Sequence, residues 1–125
     1  MLELKDFMPV NYLKKERFTG SYNGMRFCME KAEHEGSDTM LAVVVWPEPY
    51  GYDATSEEQK TRIEYTFDAD GIAKGVDWLN EQFASQAERW KKSRKQAISL
   101  LKSLLMKKEK LLLRLLSLLT ENIKN

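Results

Sequence analysis

Alternating apolar and polar residues predict four β-strands in the first half of the chain. Residues 18–22 and 25–31 flank Asn23-Gly24, and Asn-Gly supplies the positive φ angles that a two-residue hairpin turn requires. Residues 40–46 form a continuous, β-branched apolar run, which is typical of a central strand. Residues 60–67 alternate again. The side chains expected on the buried face are Met25, Phe27, Met29, Ile63, Tyr65 and Phe67.

A helix is predicted directly after the fourth strand. Asp68 or Asp70 would cap its N-terminus. Residues 47–56, with two prolines and a glycine, are predicted to form a loop, and a short helical turn is predicted to end near Pro9. These elements predict an α+β fold: an antiparallel sheet of about four strands with one packed helix and a long C-terminal amphipathic helix. The apolar stripe of the packed helix has spacings of four, three and four, and consists of Ile72, Val76, Leu79 and Phe83.

The last third of the chain is predicted to be this long helix. No Pro or Gly follows Gly75, and the apolar stripe is broader than the seam of a two-stranded coiled coil. Residues 107–110 interrupt it with charge. Three interpretations stay open: packing on the chain's own domain, self-association, or contact with a large partner or an anionic membrane surface. The stripe contains leucine doublets at a seven-residue interval and one leucine between them: Leu104, Leu105, Leu111, Leu112, Leu115, Leu118 and Leu119.

Charge divides the chain into the same two parts. Residues 1–90 carry ten Lys/Arg and seventeen Asp/Glu, a net of −7, whereas residues 91–125 carry ten and two, a net of +8. Two units are therefore predicted: an acidic α+β domain at 1–90 and a basic leucine-rich helix at 91–125. Such asymmetry indicates that one part meets a partner. The lysines could bind nucleic acid through charge alone, but the tail lacks aromatic side chains that would stack on bases.

The sequence contains no recognisable catalytic or metal-binding constellation. Cys28 and the distant His34 do not form a nucleophile–base pair at the level of sequence. The carboxylates around His34 match no metal-ligand spacing. No catalytic residue, cofactor or metal site is therefore predicted. One cysteine excludes an internal disulfide, and with no secretory signal and no apolar run of about 20 residues, a cytoplasmic protein is expected.

Aromatic side chains in and beside the proline-containing loop offer a second candidate surface. Trp46, Tyr50 and Tyr52 are of the type enriched at interfaces. Equally, Trp46 and Tyr50 could fold back to cap the core. Glu57 and Glu58 follow the loop and add acidic charge. Farther along, Trp90 is predicted to pack the tail onto the domain, with a role as partner anchor as the alternative.

Four segments within residues 5–90 resemble a family of small proteins from bacterial conjugative elements and prophages. The segments are residues 23–27, 45–50, 55–59 and 76–82. Some members of that family are loosely labelled acetyltransferases. In size and style the chain is also similar to small inhibitors of CRISPR nucleases from mobile DNA. The leucine-rich tail departs from the family pattern.

The resemblance implies a non-enzymatic protein that binds and inhibits a CRISPR effector nuclease. The expected partners are a target protein such as this nuclease and, through the C-terminal helix, further copies of the chain. One alternative is a self-associating accessory protein. The other is a minimal acetyltransferase, but no glycine pair has the spacing of the usual pyrophosphate-binding turn. The predicted partner-binding residues are Trp46, Tyr50, Tyr52, Glu57, Glu58 and the seven leucines of the tail stripe.

Overall fold

The α+β prediction is confirmed by a computed structural model, which describes the backbone of residues 1–124 and the side chains of residues 1–121. The elements follow in the order α1 (Val10–Leu13), β1 (Phe18–Tyr22), β2 (Met25–Ala32), β3 (Met40–Pro47), β4 (Thr61–Thr66), α2 (Ala69–Ser85) and α3 (Ala87–Lys124). Short 3₁₀ turns occur at Leu4–Asp6 and Glu57–Gln59. The predicted short helical turn ahead of Pro9 is the 3₁₀ turn Leu4–Asp6, and the first α-helix begins directly after Pro9.

The four strands form one antiparallel sheet in the order β1-β2-β3-β4. Tyr22 pairs with Met25 across the predicted two-residue turn, where Asn23 and Gly24 have φ angles of 44° and 97°. Strand β3 is central, as predicted, and it extends to Pro47, which pairs with Met25. Neighbouring strands along the chain are thus neighbours in the sheet.

Helix α2 packs across one face of the sheet and forms the main core. The carboxylate of Asp68 accepts from the Gly71 N–H (2.7 Å), which makes Asp68 the N-cap. Gly75 allows close packing, because a Cβ there would lie 2.9 Å from the Met29 methyl and 3.0 Å from a Val43 methyl. The predicted stripe of α2 faces this core, with Phe83 at its partly buried edge.

The opposite sheet face carries a second, smaller core that the sequence pattern does not predict. Cys28, expected among the outward-facing residues of β2, is fully buried with Val44 and Trp46. Tyr52 covers this cluster and meets the Trp46 ring edge to face, with centroids 5.5 Å apart. The loop after β3 therefore folds back over the sheet and seals Cys28 from solvent.

Candidate protein-binding surface

The base of α3 is anchored to the domain at the tip of the β1–β2 hairpin. Trp90 is fully buried in the main core, and its indole N–H donates to the Gln82 carbonyl oxygen (3.1 Å). The buried Ser93 hydroxyl donates to the Gly24 carbonyl oxygen (2.8 Å). Arg94 pairs with Glu48 (3.1 Å). Trp90 therefore has the packing role that the sequence suggests, and the anchor extends past residue 90.

Gly24 makes this close docking feasible. A Cβ at Gly24 would lie 2.0 Å from the Trp90 carbonyl oxygen. The glycine that the hairpin turn needs for its positive φ angle is thus also needed where the backbone of α3 crosses the turn. The sequence predicts only the turn at this glycine. No sequence pattern indicates its contact with α3.

Beyond its base, α3 projects from the domain. We call residues 97–121 the arm; Ala97 is half-buried, and every side chain from Ile98 to Glu121 is exposed. Packing of the tail on its own domain, one of the three interpretations of the sequence, is therefore not what the structure shows. At 1.5 Å per residue, the arm is on the order of 37 Å long.

One side of the arm is almost entirely apolar. Helical geometry places residues three, four and seven apart on the same side, which collects nine side chains that we call the leucine face. Lys108 lies at its centre, whereas Leu113 lies on the opposite side. The leucine face consists of Ile98, Leu101, Leu104, Leu105, Leu111, Leu112, Leu115, Leu118 and Leu119, all exposed. It includes all seven predicted leucines; Ile98 and Leu101 share their heptad spacing.

The aromatic residues of the predicted second surface separate into buried and exposed groups. Trp46 is only 1% exposed, and its indole N–H donates to the Tyr50 carbonyl oxygen (2.9 Å). Lys60 lies over the Tyr52 ring, 3.8 Å from its centroid. Tyr50 is 56% exposed. A partner would therefore meet Tyr50, while Trp46 and Tyr52 hold the loop in place.

The acidic pair beside this loop is accessible. Glu57 and Glu58 lie in the 3₁₀ turn Glu57–Gln59 and are exposed. Glu57 pairs with Lys60 (3.0 Å). The loop and the base of α3 enclose an open cleft of about 500 Å³, which Gln59 lines, and Arg89 donates to the Gln59 carbonyl oxygen there (2.8 Å). The base of α3 and the acidic loop thus form one continuous surface.

The side chains considered as a nucleophile or as metal ligands in the sequence have structural roles. Burial raises the pKa of the Cys28 thiol to about 12, so it is not a thiolate at neutral pH. His34 Nε2 lies 2.6 Å from a Glu64 oxygen, and this hydrogen bond, with a second from Arg62, lowers the pKa of Glu64. Among residues 1–121, no group of three or more His, Cys, Asp or Glu side chains is placed to hold a metal ion.

Comparison of the chain with protein-family models, with curated proteins and with solved structures found no match. Within the described part of the chain, no helix combines the length and apolar character needed to cross a membrane. The surfaces themselves are therefore the basis for assigning a function.

Proposed function

We propose that this protein acts by binding other protein chains, and that the leucine face of the arm is its principal binding surface. The observation that carries the proposal is the exposure of nine large apolar side chains along one side of a helix that no described part of the chain covers. Large continuous apolar patches on soluble proteins mark interaction sites.

The energies are sufficient for a stable complex. Complete burial of a leucine contributes about 1.5–3 kcal/mol, and these residues are already about half-buried by the helix itself. Nine residues at roughly half that value, from each of two partners, contribute roughly 14–27 kcal/mol, against the roughly 4–15 kcal/mol lost in association. Self-association through the leucine face is the first form of the proposal.

A truncation separates the arm from the domain. The cut belongs after Gln96, because Trp90, Ser93 and Arg94 all hold the base of α3 to the domain. We expect the full chain to be a dimer or larger by light scattering, and residues 1–96 to be a folded monomer by circular dichroism. A full chain that stays monomeric at high concentration would refute self-association.

The second candidate function is inhibition of a CRISPR effector nuclease, which rests on the family resemblance. The supporting observation is the exposed acidic pair Glu57 and Glu58 beside Tyr50, in a domain of net charge −7 over residues 1–90. An acidic surface of this kind would compete for a basic channel that holds nucleic acid. Adding purified protein to the nuclease of its host should protect target DNA from cleavage; cleavage that persists at saturating concentration would exclude this candidate.

The acetyltransferase alternative is less favoured. Gly71, at the start of α2, has its N–H bonded to Asp68, and a Cβ there would lie 1.7 Å from the Thr66 carbonyl oxygen. The glycine therefore serves helix–strand packing and capping, and its N–H is already engaged. A calorimetric titration with acetyl-CoA would test this alternative, and we expect no heat of binding.

A further inference from the structure

The order of residues along the arm is nearly the same in both directions from Lys108. Eight of the eleven mirror pairs around Lys108 match in type, from the pair 105/111 outward to 97/119. A heptad stripe alone accounts for the matches on the leucine face. The mirror also extends to Leu100 and Leu116 at the edges of that face, and to residues off it: Ser99 with Ser117, and Lys102 with Arg114.

A sequence that reads alike in both directions suits a two-fold antiparallel pair. In an isologous interface, residue i of one copy contacts residue j of the other, and j contacts i. With the two-fold axis at Lys108, the doublets 104/105 and 111/112 of the two copies meet, Leu101 meets Leu115, and the doublet 118/119 meets Ala97 and Ile98. This register covers the leucine face from end to end. A shift by one heptad would leave part of it unpaired and place Lys108 against leucine.

The base of α3 supplies an independent geometric argument. Trp90, Ser93 and Ala97 follow one another at spacings of three and four, and Leu101 and Leu104 continue that series. The side of α3 that is buried in the domain thus leads directly into the leucine face. In a parallel pair, each domain would occupy the space that the base of the other helix requires. In an antiparallel pair, only the distal end of one arm approaches the domain of the other copy.

Charge favours the same direction. Residues 91–95 contain Lys91, Lys92, Arg94 and Lys95, so a parallel pair would place two strongly basic segments side by side. An antiparallel pair instead places each basic segment beside the far end of the other helix, where Glu121 and Lys124 balance in charge and the helix dipole is negative. It also places the two acidic domains at opposite ends of the assembly.

We infer that the arms of two copies pair in antiparallel orientation, with Lys108 of each copy at the two-fold axis. This inference rests on the proposed self-association. Lys108 interrupts the apolar seam at one position, as polar residues do where they fix the register of a helix pair at some cost in stability. Its long side chain reaches solvent from the seam. The partner of the leucine face is therefore a second copy of this chain.

Spin labels at two serines test the orientation in the full-length protein. Ser99 and Ser117 are exposed and lie on the side of the arm opposite the leucine face, so Ser99→Cys and Ser117→Cys leave the seam intact. The buried Cys28 should not react with the spin label. Labelling of the unsubstituted chain is the control. In an antiparallel pair, labels at identical positions are offset by about 27 Å along the axis, whereas a label at 99 lies level with a label at 117 of the other copy.

We expect pulsed electron paramagnetic resonance to give a long distance between the two labels of a pair in which both copies carry the same substitution. When the two substituted proteins are mixed, a second and shorter distance should appear, between a label at 99 and a label at 117. The reverse order would establish a parallel pair and overturn the inference while leaving self-association intact. A chain that is monomeric by light scattering would remove the proposed self-association, and the inference with it. Dimers and tetramers built from antiparallel pairs both support it.

Discussion

At the scale of single residues, Gly24 has two roles that a side chain would disrupt together. Its φ angle is 97°, and a Cβ would collide with the Trp90 carbonyl oxygen. Gly24→Ala should lower the free energy of unfolding by about 1–2 kcal/mol through backbone strain and by about 1–3 kcal/mol more through overpacking. Urea denaturation followed by tryptophan fluorescence measures the change.

Two other glycines separate these causes. Gly36 also has a positive φ angle, 76°, but a Cβ there has nothing within 4 Å. Gly36→Ala should therefore show the strain alone, and Gly51→Ala, in open space without a positive φ angle, should be nearly neutral. Equal effects at Gly24 and Gly36 would mean that the close approach of α3 contributes nothing to stability.

The N-cap of α2 predicts a pH effect of known sign. The Gly71 N–H, with a further hydrogen bond from Thr66, lowers the pKa of Asp68. A carboxylate whose pKa is depressed in the folded state stabilises it above the unfolded pKa, near 3.9, and this stabilisation is lost as the pH falls through the folded value. Asp68→Asn keeps a capping oxygen but cannot titrate. The melting-temperature advantage of Asp68 over Asn should therefore shrink between about pH 5 and pH 2, and an advantage unchanged over that range would contradict the assigned cap.

At the scale of elements, the arm distinguishes the two sides of one helix. Leu112 lies on the leucine face and Leu113 on the opposite side, and both are more than half exposed, at 53% and 60%. Lysine at 112 would remove a leucine from the seam of each copy and add a like charge near Lys108, at a total cost of about 3 kcal/mol, or about a hundredfold in association. Leu113→Lys should be nearly neutral. Sedimentation equilibrium measures both.

Thermal unfolding of the domain serves as the control for this pair. Because neither leucine contacts the domain, the main transition should stay where it is in both variants. Leu112→Lys should also reduce helical circular dichroism, because most helical stability in proteins comes from packing of an amphipathic face, and an unpaired arm lacks that packing. Equal loss of association in both variants would show that the arm is surrounded on all sides.

The elements set by local pattern were predicted from the sequence, and those set by long-range packing were not. Asn23-Gly24 fixed the hairpin and the stripe from Ile72 fixed α2, because each depends on neighbours along the chain. The second core did not follow from pattern, since Cys28 is buried only where the loop returns with Tyr52. The position of Trp46 was open for the same reason: its hydrogen bond to Tyr50 depends on how that loop folds.

The candidate surface was predictable to the same extent. Heptad spacing identified the leucine face, because a helix places those residues on one side wherever it lies. Whether the domain covers that side depends on where α3 leaves it, which is decided by Trp90 and Ser93 at the hairpin tip. No local pattern encodes such a direction, so exposure of the face could be established only from the structure.

At the scale of the whole molecule, the two proposed binding surfaces lie on parts of the chain with opposite net charge. The basic arm carries the apolar face, and the acidic domain presents Glu57 and Glu58 next to Gln59, which lines the cleft at the base of α3. Antiparallel pairing of arms would hold two acidic domains at opposite ends. An assembly of this shape would present two copies of the acidic loop, which raises the apparent affinity for any partner with two matching sites.

Charge reversal at the loop tests which surface meets a basic partner. Glu57→Lys with Glu58→Lys should slow association with a basic target such as the proposed nuclease and weaken its salt dependence, because steering by charge acts mainly on the association rate. Both side chains are exposed, but Glu57 pairs with Lys60, so a small fall in melting temperature is expected with the fold retained. Stopped-flow fluorescence at two salt concentrations measures the rate.

The matched control reverses a different acidic pair by the same total charge. Glu33 and Glu35 are exposed in the turn between β2 and β3, so Glu33→Lys with Glu35→Lys alters net charge equally but away from the loop. A position-specific surface predicts a larger loss of rate for the 57/58 reversal than for the 33/35 reversal. Equal losses would mean that only net charge matters. If neither reversal changes the rate while Leu112→Lys abolishes binding, the arm alone is the active surface, and the acidic domain serves to carry it.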